Sequence, residues 1–93
     1  FRAGIRPTRK ANDLTKKEAL RLYEAIKSIL KKAIEMNGSS VSNYLLADGS
    51  KGNYASEHKV YQKSGQICSK CPATLKKIIV ASRSTVYCPE CQR

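Results

Sequence analysis

The sequence contains few of the residues that build a large hydrophobic core. It has no tryptophan, one phenylalanine and one methionine in 93 residues. A chain this short and this poor in large apolar side chains buries little surface on folding, so it commonly needs a metal or disulfides for stability. A hydrophobic fraction of 41% and a charged fraction of 27% are nevertheless typical of a globular protein and exclude a disordered chain.

Long hydrophobic runs are also absent. No stretch of 18 apolar residues occurs, which excludes a membrane-spanning helix. Arg2, Arg6 and Pro7 interrupt the first apolar stretch, so it does not have the pattern of a secretory signal. We therefore expect an intracellular location, in the cytoplasm and nucleoid or in a nucleus or organelle, with no membrane partner and no secretion.

Acidic residues are scarce relative to basic ones. The chain has 18 lysines and arginines against 7 aspartates and glutamates, which gives a net charge of +11. A surplus of this size favours a polyanionic partner, with nucleic acid ahead of an anionic membrane surface.

A helix is predicted over residues 16–36. Thr15 and Glu18 match a capping box, in which each side chain accepts the other residue's backbone N–H. Apolar residues at helical spacing predict one buried face, formed by Ala19, Leu22, Tyr23, Ile26, Ile29, Leu30, Ala33 and Ile34. Gly38 suits the left-handed position that ends a helix. The opposite face is rich in lysine and glutamate, and we expect it to be solvated.

The segment after this helix has weaker signals. Residues 39–44 could open a short helix capped by a serine, and residues 47–53 have the composition of a loop. His58 is the only histidine. We interpret it as a surface or packing residue rather than a metal ligand.

The last third of the chain is rich in strand-forming residues. Residues 75–80 and 83–87 flank Ala81-Ser82, which predicts a β-hairpin. The predicted fold class is therefore a mostly α N-terminal half followed by a small β-hairpin zinc finger. We expect the helical part to cover 1–58 and the zinc finger to cover 59–93.

The zinc assignment depends on four cysteines. Cys68 and Cys71 form one C-x-x-C pair, Cys88 and Cys91 form the second, and 16 residues separate the pairs. Two such turns, brought together by a hairpin, place four thiolates around one structural Zn²⁺ and stabilise a small core. Disulfides are disfavoured because no export signal occurs, and a thioredoxin-like pair would need a βαβ context. Four cysteine ligands also leave no open position for a catalytic metal.

The order of these segments matches one known pattern. The segments concerned are residues 1–7, the capped helix at 16–36, residues 38–44, residues 48–54, Val60-Tyr61 and residues 83–92. Together they resemble the C-terminal part of the formamidopyrimidine-DNA glycosylase / endonuclease VIII family, formamidopyrimidine branch. The resemblance covers essentially the whole chain. It implies the end of a helix–two-turns–helix motif, a lesion-capping loop and a zinc finger.

The resemblance implies base-excision repair of damaged double-stranded DNA. Family enzymes are bifunctional, with a glycosylase (hydrolase) and an AP lyase activity on oxidised purines such as 8-oxoguanine and formamidopyrimidine. Arg83 would match the family arginine that grips the phosphates beside the damaged nucleotide and donates in δ-elimination. Because a guanidinium keeps its proton, we interpret Arg83 mainly as a bidentate phosphate clamp. The zinc finger would position this one side chain.

Further residues are implied to contact DNA. Ser39 and the backbone amides of Val41, Ser42, Asn43 and Tyr44 would match the segment that wraps a flipped purine. Flipping exposes atoms that are inaccessible in the base stack. Amides near Gly4 would lie in a turn that contacts phosphate.

The sequence also departs from the family pattern. Ser82 stands where the turn before the arginine usually carries glycine, and Pro72 and Ala73 follow the second cysteine where glycine is common. Family enzymes attack the sugar with an N-terminal proline, whereas this chain begins Phe1-Arg2. We therefore expect a fragment whose partner is the missing N-terminal catalytic domain of the same protein. We also expect a monomer that does not cut DNA alone.

Two other functions fit part of the sequence. A basic zinc-ribbon module that binds ribosomal or structured RNA would have the same charge, size and cysteine spacing. A sequence-specific DNA reader would need arginine, asparagine or glutamine on a recognition helix. The polar face at 16–36 carries lysine and glutamate instead, which suits phosphates better.

Overall fold

The computed structural model describes residues 1–38, 49 and 52–93. They form two compact units. The first contains Phe1–Tyr23 and Lys59–Arg93, and the second contains Glu24–His58. The short helix predicted at 39–44 lies outside the described residues, as do the candidate site residues Ser39, Val41, Ser42, Asn43 and Tyr44.

Helix α1 spans Lys16–Glu35 and begins as predicted. The Thr15 N–H donates to the Glu18 carboxylate at 3.0 Å, and the Glu18 N–H donates to the Thr15 hydroxyl at 3.1 Å. This capping box satisfies two of the backbone donors that the first helical turn leaves unpaired. A short 3₁₀ turn at Ala11–Asp13 precedes it.

Helix α1 ends one residue earlier than the sequence predicted. Asn37, with φ 61°, donates its N–H to the Ile34 carbonyl at 3.1 Å, and Gly38 donates to the Ala33 carbonyl at 2.8 Å. These two bonds define a Schellman motif with Asn37 at its left-handed position. The assignment of that position to Gly38 was therefore wrong, although Gly38 also has a positive φ of 83°.

The prediction of one buried apolar face on α1 is wrong for the described residues. Only Ala25 is buried. Several residues of the predicted face, together with the neighbouring Leu20, are exposed, with exposed fractions of 60% for Leu20, 55% for Tyr23, 47% for Ile26, 58% for Leu30 and 77% for Ile34. Periodicity identified the apolar face correctly, but it does not show whether a neighbouring element covers it. We call these five residues the exposed edge of α1.

The second unit returns the chain to the end of α1. The N–H groups of Asn53 and Tyr54 donate to the carbonyls of Met36 and Gly38 at 2.8 and 2.9 Å. A 3₁₀ turn follows at Tyr54–Glu57. His58 packs edge-on against the Tyr54 ring, with centroids 5.7 Å apart, so it is a packing residue as predicted.

The predicted β-hairpin is present in the first unit. Strands β1, Lys76–Val80, and β2, Arg83–Tyr87, pair antiparallel, with Val80 opposite Arg83. Ala81 and Ser82 have φ angles of 49° and 65°. Positive φ at both central residues is typical of a two-residue type I′ turn. Ser82 therefore adopts the left-handed backbone conformation at the turn position where the family usually carries glycine.

The core of the first unit surrounds the cysteines. Cys68, Leu75 and Cys88 are buried, and partly buried residues pack against them: Phe1, Val60, Cys71, Ala73, Val86 and Cys91. This core is small, as the scarcity of large apolar residues predicted. Within the described residues, no helix combines the length and the apolar character needed to cross a bilayer.

Candidate metal centre and nucleic-acid interface

The four cysteines come together at one point. Their sulfur atoms all lie within 4.8 Å of one another. The distances are 3.8 Å for Cys68–Cys91, 3.5 Å for Cys71–Cys88 and 3.6 Å for Cys71–Cys91. Four sulfurs about 2.3 Å from a tetrahedral Zn²⁺ would be separated by about 3.8 Å. The four cysteines are therefore placed to bind one structural Zn²⁺ through all four thiolates, as their spacing in the sequence predicted.

The surroundings of the thiols lower the pKa of Cys88, which favours its thiolate, and raise the pKa of Cys91. Burial acts to raise the pKa of Cys88, but hydrogen bonds from the N–H groups of Cys91 and Glu90 favour its thiolate, and its pKa is about 7. Burial and the neighbouring thiols raise the pKa of Cys91 to about 12. Four thiolates this close repel one another, so a thiolate-binding cation is needed to ionise the whole set.

The N-terminal residues pack on the turn that carries Cys88 and Cys91. The Arg6 guanidinium donates to the carbonyls of Gln92 at 3.2 Å and Pro89 at 3.0 Å. It also lies over the Tyr87 ring, 5.2 Å from the centroid. These contacts place the end of the predicted DNA-binding motif directly beside the candidate metal centre.

Gly4 is held in this junction. Its φ is 72°, its N–H donates to the Phe1 carbonyl at 3.0 Å, and its carbonyl accepts the Arg93 N–H at 3.0 Å. A Cβ at this position would lie 3.2 Å from the Cys91 carbonyl oxygen. Glycine is therefore favoured here both by the turn and by the close packing. A phosphate contact by the amides near Gly4 stays a prediction.

Arg83 lies at the first position of β2, directly after the turn, as the sequence predicted. An open groove of about 750 Å³ begins beside it, lined by Tyr61, Gln62, Ser64, Lys77, Ser82, Arg83, Ser84 and Val86. Seven of these eight side chains carry a hydrogen-bonding group and none is acidic. Within the described parts of the chain, neither Arg83 nor Lys77 forms an ion pair. The groove is thus suited to an extended anion.

Sequence reasoning missed several residues of this groove. Lys77 pairs with Val86 and Ile79 pairs with Ser84, so these four residues share one face of the hairpin. Counting back from the turn would have placed Lys77 on that face. By contrast, nothing in the sequence pattern indicated that Tyr61 and Ser64 would also line the groove.

Two family models match separate parts of the chain. The model described as the formamidopyrimidine-DNA glycosylase H2TH domain matches residues 1–44. The model described as a zinc finger found in FPG and IleRS matches residues 65–93. The first range contains α1 and its lead-in, and the second contains all four cysteines.

Individual proteins match nearly the whole chain. Formamidopyrimidine-DNA glycosylase from Desulfitobacterium hafniense (strain DSM 10664 / DCB-2) is 49% identical over 92 residues, which are 99% of this chain and 34% of that protein. The enzyme of that name from Neisseria meningitidis is 42% identical over 93 residues, 100% of this chain and 34% of its own length. The chain thus spans about a third of the length of the curated relatives it matches.

Solved structures agree with these sequence matches. The complex between Lactococcus lactis Fpg and an abasic site containing DNA has a TM-score of 0.89 at 42% identity, covering 99% of this chain and 34% of that one. MutM (FPG) from Thermus thermophilus has a TM-score of 0.90 at 40% identity, covering 98% of this chain and 35% of that one.

Proposed function

We propose that this chain, which belongs to the formamidopyrimidine-DNA glycosylase family, binds damaged double-stranded DNA in base-excision repair. The observation that carries this proposal is the groove beside the hairpin turn. Arg83 and Lys77 supply two positive charges there without an acidic neighbour in the lining. Charge-assisted hydrogen bonds from such groups are the usual protein contacts to a phosphodiester backbone. The Lactococcus lactis relative, solved with abasic-site DNA and with Fapy-dG DNA, supports the choice of damaged duplex.

Arg83 is the proposed phosphate clamp. A two-residue turn gives its backbone little freedom, so the guanidinium is presented from a rigid support. A guanidinium can donate two parallel hydrogen bonds to one phosphate and stabilise the negative charge that develops when a phosphate departs. In the complete enzyme, Arg83 would thereby assist δ-elimination. The cysteines and their Zn²⁺ would hold the hairpin that positions it.

The test measures binding to an abasic-site duplex at several salt concentrations, by fluorescence anisotropy. We expect Arg83→Ala and Lys77→Ala each to weaken binding and to reduce the salt slope by about 0.9, which corresponds to one phosphate contact. Lys17→Ala is the matched control, because Lys17 carries the same charge and is exposed on α1. Its slope should change less. Equal effects from all three variants would show that only net charge matters and would contradict the proposal.

A competition experiment separates DNA repair from the RNA-binding alternative. The labelled abasic-site duplex is competed with unlabelled undamaged duplex and with an RNA hairpin. Preference for the abasic duplex would support repair. Tighter binding of the RNA would contradict it, because A-form RNA presents a different groove and its 2′-hydroxyls.

The lesion-capping segment is a proposal from the family alone. Ser39 and the backbone amides of Val41, Ser42, Asn43 and Tyr44 would read a flipped oxidised purine. Backbone N–H groups can bind an exocyclic oxygen with little dependence on side-chain identity, so Ser42 and Asn43 tolerate change. The glycosylase and AP lyase activities themselves are proposed for the complete protein.

The partner that we propose within the same protein is the N-terminal catalytic part. The exposed edge of α1 supports this, because apolar side chains at helical spacing are typical of a buried helix face. Full burial of one such side chain contributes about 1.5–3 kcal/mol, so covering the edge would stabilise the protein substantially. Because the curated relatives are about three times longer than this chain, they contain ample polypeptide to cover it. We also propose a monomer with an intracellular location, where chromosomal DNA is found.

A further inference from the structure

Gln92 lies where the cysteine turn meets the N-terminal residues. It is 4% exposed, and it is the buried polar residue found among the described parts of the chain. Its amide oxygen accepts the Cys88 N–H at 2.9 Å, and its amide nitrogen donates to the Ile5 carbonyl at 3.0 Å. A backbone donor on one side and a backbone acceptor on the other fix the orientation of this amide. One side chain thus connects a zinc ligand residue with Ile5.

The surrounding hydrogen bonds use the same backbone. Arg6 donates its side chain to the carbonyls of Gln92 and Pro89, and its N–H to the Arg93 carbonyl at 3.2 Å. Arg93 in turn donates its N–H to the Gly4 carbonyl at 3.0 Å. The acceptors of Arg6 lie in or just after the turn that carries two of the zinc ligands. The positions of these carbonyl acceptors therefore depend on whether the turn that carries Cys88 and Cys91 is ordered.

We propose that Gln92 is a positioning residue that transmits metal occupancy from Cys88 to residues 4–6. A Cys88 thiolate held by Zn²⁺ fixes the Cys88 N–H, which orients the Gln92 amide, and the amide holds the Ile5 carbonyl. This link joins the range of the H2TH domain match to the range of the zinc-finger match. It goes beyond the proposed function, and its test uses no DNA.

The first test is Gln92→Met in the zinc-loaded full chain. Methionine keeps the length of the side chain but removes both hydrogen bonds. We expect zinc affinity, measured by chelator competition, to fall about tenfold or more, the range found when hydrogen-bond partners of ligands are lost. We expect amide exchange, measured by NMR, to rise about tenfold at Cys88 and Arg6. The amides of Cys68 and Leu75, which bond elsewhere, should keep their rates.

Gln66→Met is the matched control, because Gln66 is exposed on the same zinc finger. It should leave the zinc affinity and the exchange rates unchanged. Two results would overturn the proposal. One is a Gln92→Met protein with wild-type zinc affinity and slow exchange at Arg6. The other is uniform acceleration that includes Cys68 and Leu75, which would indicate general unfolding.

A chelator titration of the unmodified chain provides a second measurement that does not depend on a variant. As zinc is removed, the Cys88 and Arg6 amides should lose protection together, at the same metal occupancy. An Arg6 amide that stays protected after the metal has left would overturn the proposal, because residues 4–6 would then be ordered without the zinc turn.

Discussion

Arg9 and Glu18 connect the N-terminal segment to the first turn of α1. The Arg9 guanidinium donates to both oxygens of the Glu18 carboxylate, at 2.8 and 3.0 Å. Glu18 also accepts the Thr15 N–H within the capping box. The hydrogen bond from Arg9, followed by that from the Thr15 backbone, lowers the pKa of Glu18 from 4.5 to about 2. The Glu18 carboxylate therefore takes part in both an ion pair and a helix cap. Both interactions are strongest when this carboxylate is ionised.

The first prediction concerns acid stability. A carboxyl whose folded pKa lies below its unfolded value holds fewer protons in the folded state, so it adds stability above pH 4.5. That contribution is lost as the pH falls from about 4.5 through about 2. We therefore expect Glu18→Gln to melt at a lower temperature than the unmodified chain at pH 6. The difference should shrink as the pH falls below about 4.5, as measured by circular dichroism.

Because zinc release at low pH would unfold both proteins, the comparison is restricted to pH values at which both still hold zinc. Glu24→Gln is the matched control, because Glu24 is an exposed glutamate on the same helix. It should show a small difference that does not vary with pH in this window. A Glu18→Gln difference that stays constant as the pH falls below about 4.5 would contradict the assignment.

At the scale of elements, the hairpin turn is a locally unfavourable structure. Ala81 and Ser82 both have positive φ, a region that costs an L-residue roughly 1–2 kcal/mol. Type I′ turns strongly prefer Asn-Gly for this reason. The pairing of β1 with β2 and the cysteine cluster impose the turn on residues that do not favour it.

The second prediction is that Ser82→Gly stabilises the zinc-loaded hairpin by about 1 kcal/mol, because glycine removes the steric cost of positive φ. Urea unfolding at a fixed zinc concentration measures the effect. Ser84→Gly is the control within strand β2, where glycine should instead destabilise by about 0.5–1 kcal/mol. Destabilisation by Ser82→Gly would contradict the left-handed turn.

Helix α1 and the β-hairpin show which features local sequence signals can predict. The capping box at Thr15 predicted the start of α1, and strand-forming residues on either side of Ala81-Ser82 predicted the hairpin, because both signals depend on neighbouring residues. The Asn37 cap was missed because asparagine and glycine both adopt left-handed backbone, and glycine was preferred. The exposed edge of α1 was missed because periodicity does not reveal which partner covers a face.

Contacts between the two ends of the chain could not be predicted. Arg6 and Gln92 are 86 residues apart, and neither belongs to a periodic pattern. The sequence presented Gln92 only as the residue after the last cysteine. Only the fold shows that it is buried and bonded to both Cys88 and Ile5. For the candidate metal centre, the ligands were therefore predictable from spacing, whereas the residues that support them were not.

At the scale of the whole molecule, positive charge and metal dependence act together. A net charge of +11 on 93 residues opposes compaction, because like charges repel within a small volume. A four-thiolate zinc site carries a formal charge of about −2, so it offsets part of this repulsion while it stabilises a core with few large side chains. The positive charge that remains on the surface favours binding to a polyanion.

The third prediction is that zinc binding releases protons and strengthens as the pH rises. The raised pKa of Cys91 keeps this thiol protonated at pH 7 without metal, whereas the lowered pKa of Cys88 favours its partial ionisation. Coordination requires all four as thiolates, so roughly three to four protons should be released per Zn²⁺ at pH 7. Calorimetry in buffers of different ionisation enthalpy counts these protons.

Cys88→Ser tests the ligand count in the same experiment. Loss of one thiolate should weaken zinc binding and leave the 68–91 segment unfolded at zinc concentrations that fold the unmodified chain. Removal of one thiol should also reduce the number of protons released per Zn²⁺. A folded, zinc-loaded Cys88→Ser protein with unchanged affinity would show that three cysteines suffice. The four-ligand site, and the rigid support that it gives to Arg83, would then be wrong.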